Sequence, residues 1–481
     1  MDNIVHQLMH FRHFLTHDLT DIFALNYAFW VLYMLVLVLI SATITRYFSP
    51  QAAGSGVSEM KVILRGVTLK EYLSLKTLLT KIVGETFTLA SGIYLGKEGP
   101  FVHISAMVAN QFMKIFYHLT DPQQYESRFL EIMAVACGVG VAVSFASPVG
   151  GVLYSIEIVS VFFSVRSYWH GFTAATIGAL LWRLLPVWFG QQEVVAPLFK
   201  TAFRADYPYE TLELLSFALL GLLCGLAAYA YISLNRWFVL FNRRKNRVNA
   251  FLQQYPLLYP IIVTVGVGLV TFPSALGQYY TSCLTHEEAI RELYSNYTWF
   301  PLQNAVDNQE QRAVVDNWHT AHTTVFENTL LFSVMNIILI AVCTTLPIPG
   351  GIIVPSFKIG AGFGRFYGEG MAYLFPHGLM ARFNRTEYPI LAGTYALVGS
   401  AAFAGANTGA MSSALGRAID NLNQHDKEPE APEMNGQKEP LDAFSDDDEE
   451  DDNEDGNKSG SDVEKGKVAV KKTVSIELPK K

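Results

Sequence analysis

Long apolar runs recur along the first 415 residues, at Ala28–Ile44, Glu131–Phe163, Phe172–Val187, Leu212–Leu240, Leu257–Leu276, Asn328–Pro347 and Ile390–Leu415. A helix needs about 20 predominantly apolar residues to cross a bilayer. Several runs meet that length, and some can hold more than one helix. A hydrophobic share of 51% over 481 residues would also suit a large soluble protein. The clustering of that share, rather than its mean, points to an all-α polytopic membrane protein.

Charge is equally uneven. From Gln424 to Lys481 there are 18 acidic and 9 basic residues, so this stretch carries −9 of a total of −8 and the rest of the chain is close to neutral at +1. Asp446–Asp452 is an unbroken acidic run. A segment this polar cannot bury enough surface to fold, so residues 416–481 read as a disordered acidic tail. Cys137, Cys224, Cys283 and Cys343 have no metal-ligand spacing and imply no disulfide framework. The start of the chain, Met1–Leu19, is polar and His-rich and lacks the apolar core of a signal peptide.

Within the apolar body the pattern Gly-x-x-x-Pro occurs twice, as Gly96-Lys97-Glu98-Gly99-Pro100 and as Gly351-Ile352-Ile353-Val354-Pro355. Proline suits the first turn of a helix, where its missing N–H would be unpaired anyway. The preceding glycine lets the backbone turn sharply or approach a ligand closely. Each copy therefore predicts a helix that begins at an irregular loop inside the membrane. Such a start exposes free N–H groups and roughly half a positive charge. Two of them converging would form an anion site. Glu98 stands at one of these starts, and a carboxylate there can mimic the anion or, if protonated or swung aside, vacate its place. Ser55, between Gly54 and Gly56, offers a hydroxyl donor with room for close approach.

Loop charge gives an orientation. The cluster Asn242–Arg247 predicts a cytoplasmic loop, and Lys61, Arg65, Lys70, Lys76 and Lys81 predict the same side for residues 58–81. One crossing through Leu257–Leu276 then puts residues 277–326 outside, consistent with the sequon Asn296-Tyr297-Thr298. Further sequons occur at Asn384 and, in the acidic tail, at Asn457. The two Gly-x-x-x-Pro copies are followed in the same order by a second echo, Gly138–Pro148 and Val398–Ala406. Repeated halves with broken helices meeting near the midplane are a recurrent plan of transporters and channels.

Gly54-Ser55-Gly56-Val57-Ser58-Glu59, Gly96–Pro100, Ser147–Glu157 and Pro349–Pro355 with Gly360–Gly368 occur in an order that resembles the CLC family of chloride channels and chloride/proton exchangers, over roughly residues 20–415. The resemblance implies a CLC-type inverted-repeat helical fold, with a membrane domain over 28–415 whose halves are about 28–190 and 212–415, after a cytoplasmic or interfacial segment 1–27. It implies chloride as the transported ion, no cofactor, a lipid bilayer as surroundings, and a homodimer with one pore per subunit. Glu98 corresponds to the gating glutamate. Ser55, Gly56, Gly96, Lys97, Gly99, Gly351, Ile352 and Ile353 correspond to the anion-binding positions, with Ile352 and Ile353 contributing backbone N–H groups. A serine at position 55 resembles the chloride-preferring form, where the nitrate-preferring form has proline.

Two departures bear on mechanism. Exchangers of the family carry a second glutamate that takes protons from the cytoplasm, and Ile158 stands at that position. Isoleucine carries no proton, so passive conduction through a plasma-membrane channel is expected over exchange. Similarity also ends near Leu415, short of the family's last helices, of a tyrosine that contacts chloride and of the CBS domains. A truncated form is therefore expected, either conducting or serving as a modulatory heterodimer partner of a full-length relative. No nucleophile–base constellation, metal cluster or Walker-type phosphate loop occurs, so neither an enzyme nor a nucleic-acid partner is expected.

Overall fold

The computed structural model describes residues 1–409 except 19–21, 70, 117–121, 146, 161–164, 189–209, 245–250, 253, 301–308, 321 and 380–388. The acidic tail, the sequons at Asn384 and Asn457, and the end of the basic cluster at 242–247 lie outside the described residues. Within them every extended regular element is helical. The first half holds α1 (Asp2–His13), α2 (Phe23–Phe48), α3 (Val57–Leu64), α4 (Leu75–Ser91), α5 (Glu98–Ile115), α6 (Pro122–Phe145), α7 (Pro148–Tyr154) and α8 (Val165–Trp188). The second holds α9 (Glu213–Arg243), α10 (Leu258–Thr271), α11 (His286–Leu293), α12 (Gln309–Asn317), α13 (Val325–Cys343), α14 (Ile353–Leu374) and α15 (Ala392–Thr408).

Among the described residues, four helical stretches are long and apolar enough to cross a membrane by themselves: Phe23–Phe48, Ser127–Phe145, Glu213–Arg243 and Val325–Cys343. Their outward faces are those of lipid-bathed helices. On α9, Leu215 is 74% exposed, and Leu219, Leu222, Leu223 and Leu226 are exposed beside it. A contiguous apolar face of this kind is at home in hydrocarbon and costly in water.

Prolines set the breaks. α2 ends at Phe48 because Ser49 precedes Pro50 and is pushed into an extended conformation. The run Glu131–Phe163 divides into α6, α7 and a π-turn, Ser155–Val159, with Ser147 capping α7 ahead of Pro148. The run Leu257–Leu276 behaves differently from the single crossing expected of it. α10 has only 14 residues and stops where Phe272, ahead of Pro273, turns extended. At 1.5 Å per residue it is about 21 Å long, less than the roughly 30 Å of a hydrocarbon core.

Two helix pairs build the interior. In the second half, Gly360, Gly364 and Gly368 of α14 press directly against the α15 backbone and its Tyr395 and Ala392. Ser400 of α15 donates to the Phe357 carbonyl of α14 at 3.1 Å. In the first half, Gly140 of α6 lies against α5, where an added Cβ would come within 2.6 Å of Ser105 Oγ and 2.7 Å of the Phe101 carbonyl. Each helix that follows a Gly-x-x-x-Pro thus packs on the glycine-rich helix that follows it. The repeat read from the sequence is a repeat of packing.

The segment before α13 is tied down by a buried ion pair. Arg365 of α14 binds Glu369 through Nε at 2.9 Å and Nη2 at 2.8 Å, donates to the Ser295 and Tyr297 carbonyls, and stacks over Trp299 at 4.0 Å. Glu369 in turn accepts from the Trp299 N–H at 2.9 Å. Between these anchors Asn296 remains exposed.

Candidate functional site at two paired helix starts

The two Gly-x-x-x-Pro loops meet. Gly96 N–H donates to the Gly351 carbonyl at 2.8 Å, and Gly351 N–H returns a bond to the Gly96 carbonyl at 2.6 Å. This antiparallel bridge joins the first glycines of the two copies across 255 residues of chain. The packing is reciprocal. A Cβ on Gly96 would lie 2.9 Å from Pro355 Cδ, and one on Gly351 would lie 3.2 Å from Pro100 Cδ. Each glycine faces the proline of the other copy, and the prolines fall in the first turns of α5 and α14. Two helix N-termini, each with unpaired N–H groups and partial positive charge, therefore begin side by side.

A third loop closes the site. Gly54 N–H donates to the Ile348 carbonyl at 2.9 Å, and its own carbonyl accepts from Gly350 N–H at 3.4 Å. Gly56 begins α3 with φ +87°, and a Cβ there would strike Tyr72 Oη at 2.7 Å and His103 Cβ at 2.8 Å. Only glycine fits that left-handed, crowded position. Gly99 is the meeting point: a Cβ would lie 2.6 Å from Ser55 Cβ and 3.4 Å from Gly351 Cα. Ser55, Gly99 and Gly351 thus bring all three loops into contact.

Glu98, the first residue of α5, is 2% exposed. Its Oε2 accepts from Val354 N–H at 3.4 Å, so the carboxylate of one copy reaches the helix start of the other. Ile352 stands at the N-terminal boundary of α14, and Ile353 is its first residue. The Ile352 carbonyl is occupied by Ser356, through its N–H at 3.0 Å and its hydroxyl at 2.7 Å. The Lys97 ammonium turns to Glu287 at 3.1 Å and Asp2 at 3.5 Å. These contacts bring α1 beside the 277–326 segment. Ile158, in the π-turn, packs in an apolar cluster with Met60, Val102 and Met107.

Sequence reasoning misread Lys81, counted among the loop charges. It lies in α4, is fully buried, and donates from Nζ to the Gly54 carbonyl at 2.9 Å. The signal was present: Thr77, Lys81, Gly84, Thr88 and Ser91 fall on one buried face of α4, while Leu75, Leu79 and Val83 are exposed on another. In lipid the polar stripe of a helix turns inward. His103 was also overlooked. It stacks on Tyr72 at 3.9 Å between centroids and bonds the Tyr72 carbonyl through Nε2 at 3.0 Å, forming a floor under Gly56.

Residues 37–416 match the family model described as voltage gated chloride channel. The chain is 45% identical over 404 residues to chloride channel protein 2 of Drosophila melanogaster, covering 84% of this chain and 33% of that one. It is 42% identical over 415 residues to human chloride channel protein 2 (86% and 46%), and 43% identical over 394 residues to rat chloride channel protein 1 (81% and 39%). The chain spans a third to just under a half of the length of these relatives. Among solved structures, a eukaryotic CLC transporter matches with a TM-score of 0.62 at 29% identity, covering 88% of this chain and 65% of that one. A slow cyanobacterial Cl⁻/H⁺ antiporter shares the fold, with a TM-score of 0.61 at 16% identity over 89% and 94% of the two chains. Paired Gly-x-x-x-Pro helix starts, the packing repeat behind them and a family match over residues 37–416 lead to one conclusion: this chain belongs to the voltage gated chloride channel family.

Proposed function

We propose that this chain forms a passive chloride pathway through the membrane, with Glu98 as its gate. The observation that carries the reading is the contact of Glu98 Oε2 with Val354 N–H at 3.4 Å. An ionised carboxylate resting on a helix start stands where a chloride ion would otherwise be held by the same N–H groups and helix dipole. Protonation, or a swing of the side chain, frees that place for chloride. Either event is sensitive to pH, and a charge moving within the membrane field is sensitive to voltage.

The anion site consists of the Ser55 hydroxyl, the close backbone approaches at Gly56, Gly96, Gly99 and Gly351, and the N–H groups at the Ile352–Ile353 start of α14. Lys97 contributes positive potential, moderated by Asp2 and Glu287. Two relatives bear the names chloride channel protein 2 and chloride channel protein 1, which supports chloride as the ion. Ile158, in apolar surroundings, offers no proton acceptor and supports conduction over proton-coupled exchange. The wider assignment follows the family: an interfacial segment over 1–27, a membrane domain over 28–415 in two halves, an acidic tail over 416–481, location in the plasma membrane and assembly as a homodimer or with a full-length relative.

The test is chloride efflux from liposomes containing the purified protein, beside a Glu98→Gln variant. Efflux that rises and loses most of its pH dependence in the variant is expected. Correctly folded, inserted protein without efflux in either form would overturn the channel reading in favour of a modulatory subunit.

A further inference from the structure

α4 carries a second buried carboxylate, one turn beyond Lys81. Glu85 is wholly buried, and neither Oε1 nor Oε2 has a hydrogen-bond partner. Lys81, equally buried, gives its ammonium to the Gly54 carbonyl at 2.9 Å and leaves Glu85 unpaired. Among the described residues, the other charged groups within electrostatic reach of Glu85 are Glu98 at the start of α5 and Lys97 just before it, and Glu59 of α3 acts on Lys81. α2 faces α4 with hydroxyls: Ser41 donates to the Gly84 carbonyl at 2.9 Å, and Thr45 Oγ1 has no partner. On α1, Asp2 is paired with Lys97 and Arg12 lies over Trp30.

A buried carboxyl without donors is tolerable as the neutral acid and costly as the anion. The anion needs a cation, and residues four apart on a helix are neighbours. Lys81 is therefore the group that can turn to it, at the expense of Gly54. We infer that Glu85 is a proton-binding site that acts on the anion site through Lys81. With its proton, Glu85 is neutral and Lys81 holds the Gly54 carbonyl, fixing the Gly54-Ser55-Gly56 loop. When the Glu85 O–H bond breaks and the proton passes to water in the pathway, the carboxylate draws the ammonium along α4 and releases the loop. Proton and anion then meet at one site through two carboxylates, Glu98 directly and Glu85 by way of Lys81.

This inference rests on the reading of the three loops as the anion site, so its test separates the two. Chloride efflux is measured against pH for the wild type, Glu98→Gln, Glu85→Gln and the double variant. Glu98→Gln is expected to retain a smaller, severalfold pH dependence that the double variant lacks. Equal pH dependence in Glu98→Gln and the double variant overturns the role of Glu85, whereas identity of Glu98→Gln with the wild type overturns the gate reading alone. Should Glu85→Gln fail to fold, Lys81→Met in the Glu98→Gln background must shift the residual pH dependence, and an unchanged profile sinks the proposal. Infrared absorption supplies a readout free of conduction: a protonated-carboxyl band in Glu98→Gln must vanish in the double variant, and its persistence contradicts the site.

Discussion

The two helix starts share a frame and differ in chemistry. Gly96 and Gly351 exchange backbone hydrogen bonds, and Pro100 and Pro355 each cover the other copy's glycine. Between those fixed points one copy carries Lys97 and Glu98, and the other carries Ile352, Ile353 and Val354. The first presents two charged side chains, and the second presents backbone N–H groups among apolar side chains. Glu98 spans the difference by bonding Val354 N–H. On the proposed reading, symmetry of backbone builds a place for an anion, and asymmetry of side chains decides which anion occupies it, the protein's own carboxylate or one from solution. A site with an acid in both copies would repel itself, and one with an acid in neither would have no internal occupant.

Breaking the shared frame should have the largest effect. Gly351→Val puts a side chain 2.8 Å from Gly99 N, against backbone that has no rotamer to yield. A loss of about 3 kcal/mol or more is expected, at or above the upper end for overpacking, read as a lower thermal unfolding temperature in detergent and loss of efflux. An unchanged unfolding temperature would mean the loops are not held as described. Removing the asymmetry comes next. Ile353→Glu adds a second carboxylate beside the first, and two acids sharing a site resist joint ionisation. Efflux at neutral pH should fall roughly tenfold, about 1.4 kcal/mol on the barrier, and recover as acid neutralises one of the pair. Faster efflux at neutral pH would contradict this.

The two lysines sharpen the comparison further. Lys81→Met removes the charged donor of the Gly54 carbonyl and leaves it only the longer bond from Gly350 N–H, a loss of about 1.5–3 kcal/mol. Lys97→Met breaks pairs with Asp2 and Glu287, which are themselves 39% and 42% exposed, and should cost less than about 1 kcal/mol. Denaturant or thermal unfolding of the two variants checks the order, and the reverse order would mean Lys81 is idle. The smallest effect on efflux is expected of Ile353→Val, which costs about 0.5–1.5 kcal/mol in stability. Its efflux should match the wild type, because the N–H is kept and only a methylene is lost.

Much of this was legible in the chain. Two prolines at fixed distance from two glycines announced two helix starts, because that pairing has few other uses in a membrane. Apolar runs gave the helices wherever one residue type filled both faces, as in α9 and α13. The failures share one cause, which is that a sequence shows charge but not direction. Lys81 looked like a loop charge because it follows Lys76, yet its face of α4 turns inward, towards Gly54. Glu85 stayed silent for the same reason. The run Leu257–Leu276 was apolar enough for a crossing, and Pro273 broke it. The reciprocal bonds of Gly96 and Gly351 lie beyond any local pattern, since they depend on loops 255 residues apart coming together.

The central claim is that the Glu98 carboxylate occupies an anion site made by the opposite helix start. A structure of Glu98→Ala determined in bromide tests it most directly, because anomalous scattering identifies the halide and alanine vacates the place. Bromide within hydrogen-bonding reach of Val354 N–H is the predicted result. A folded variant with the loops unchanged and no bromide at that position would contradict the account.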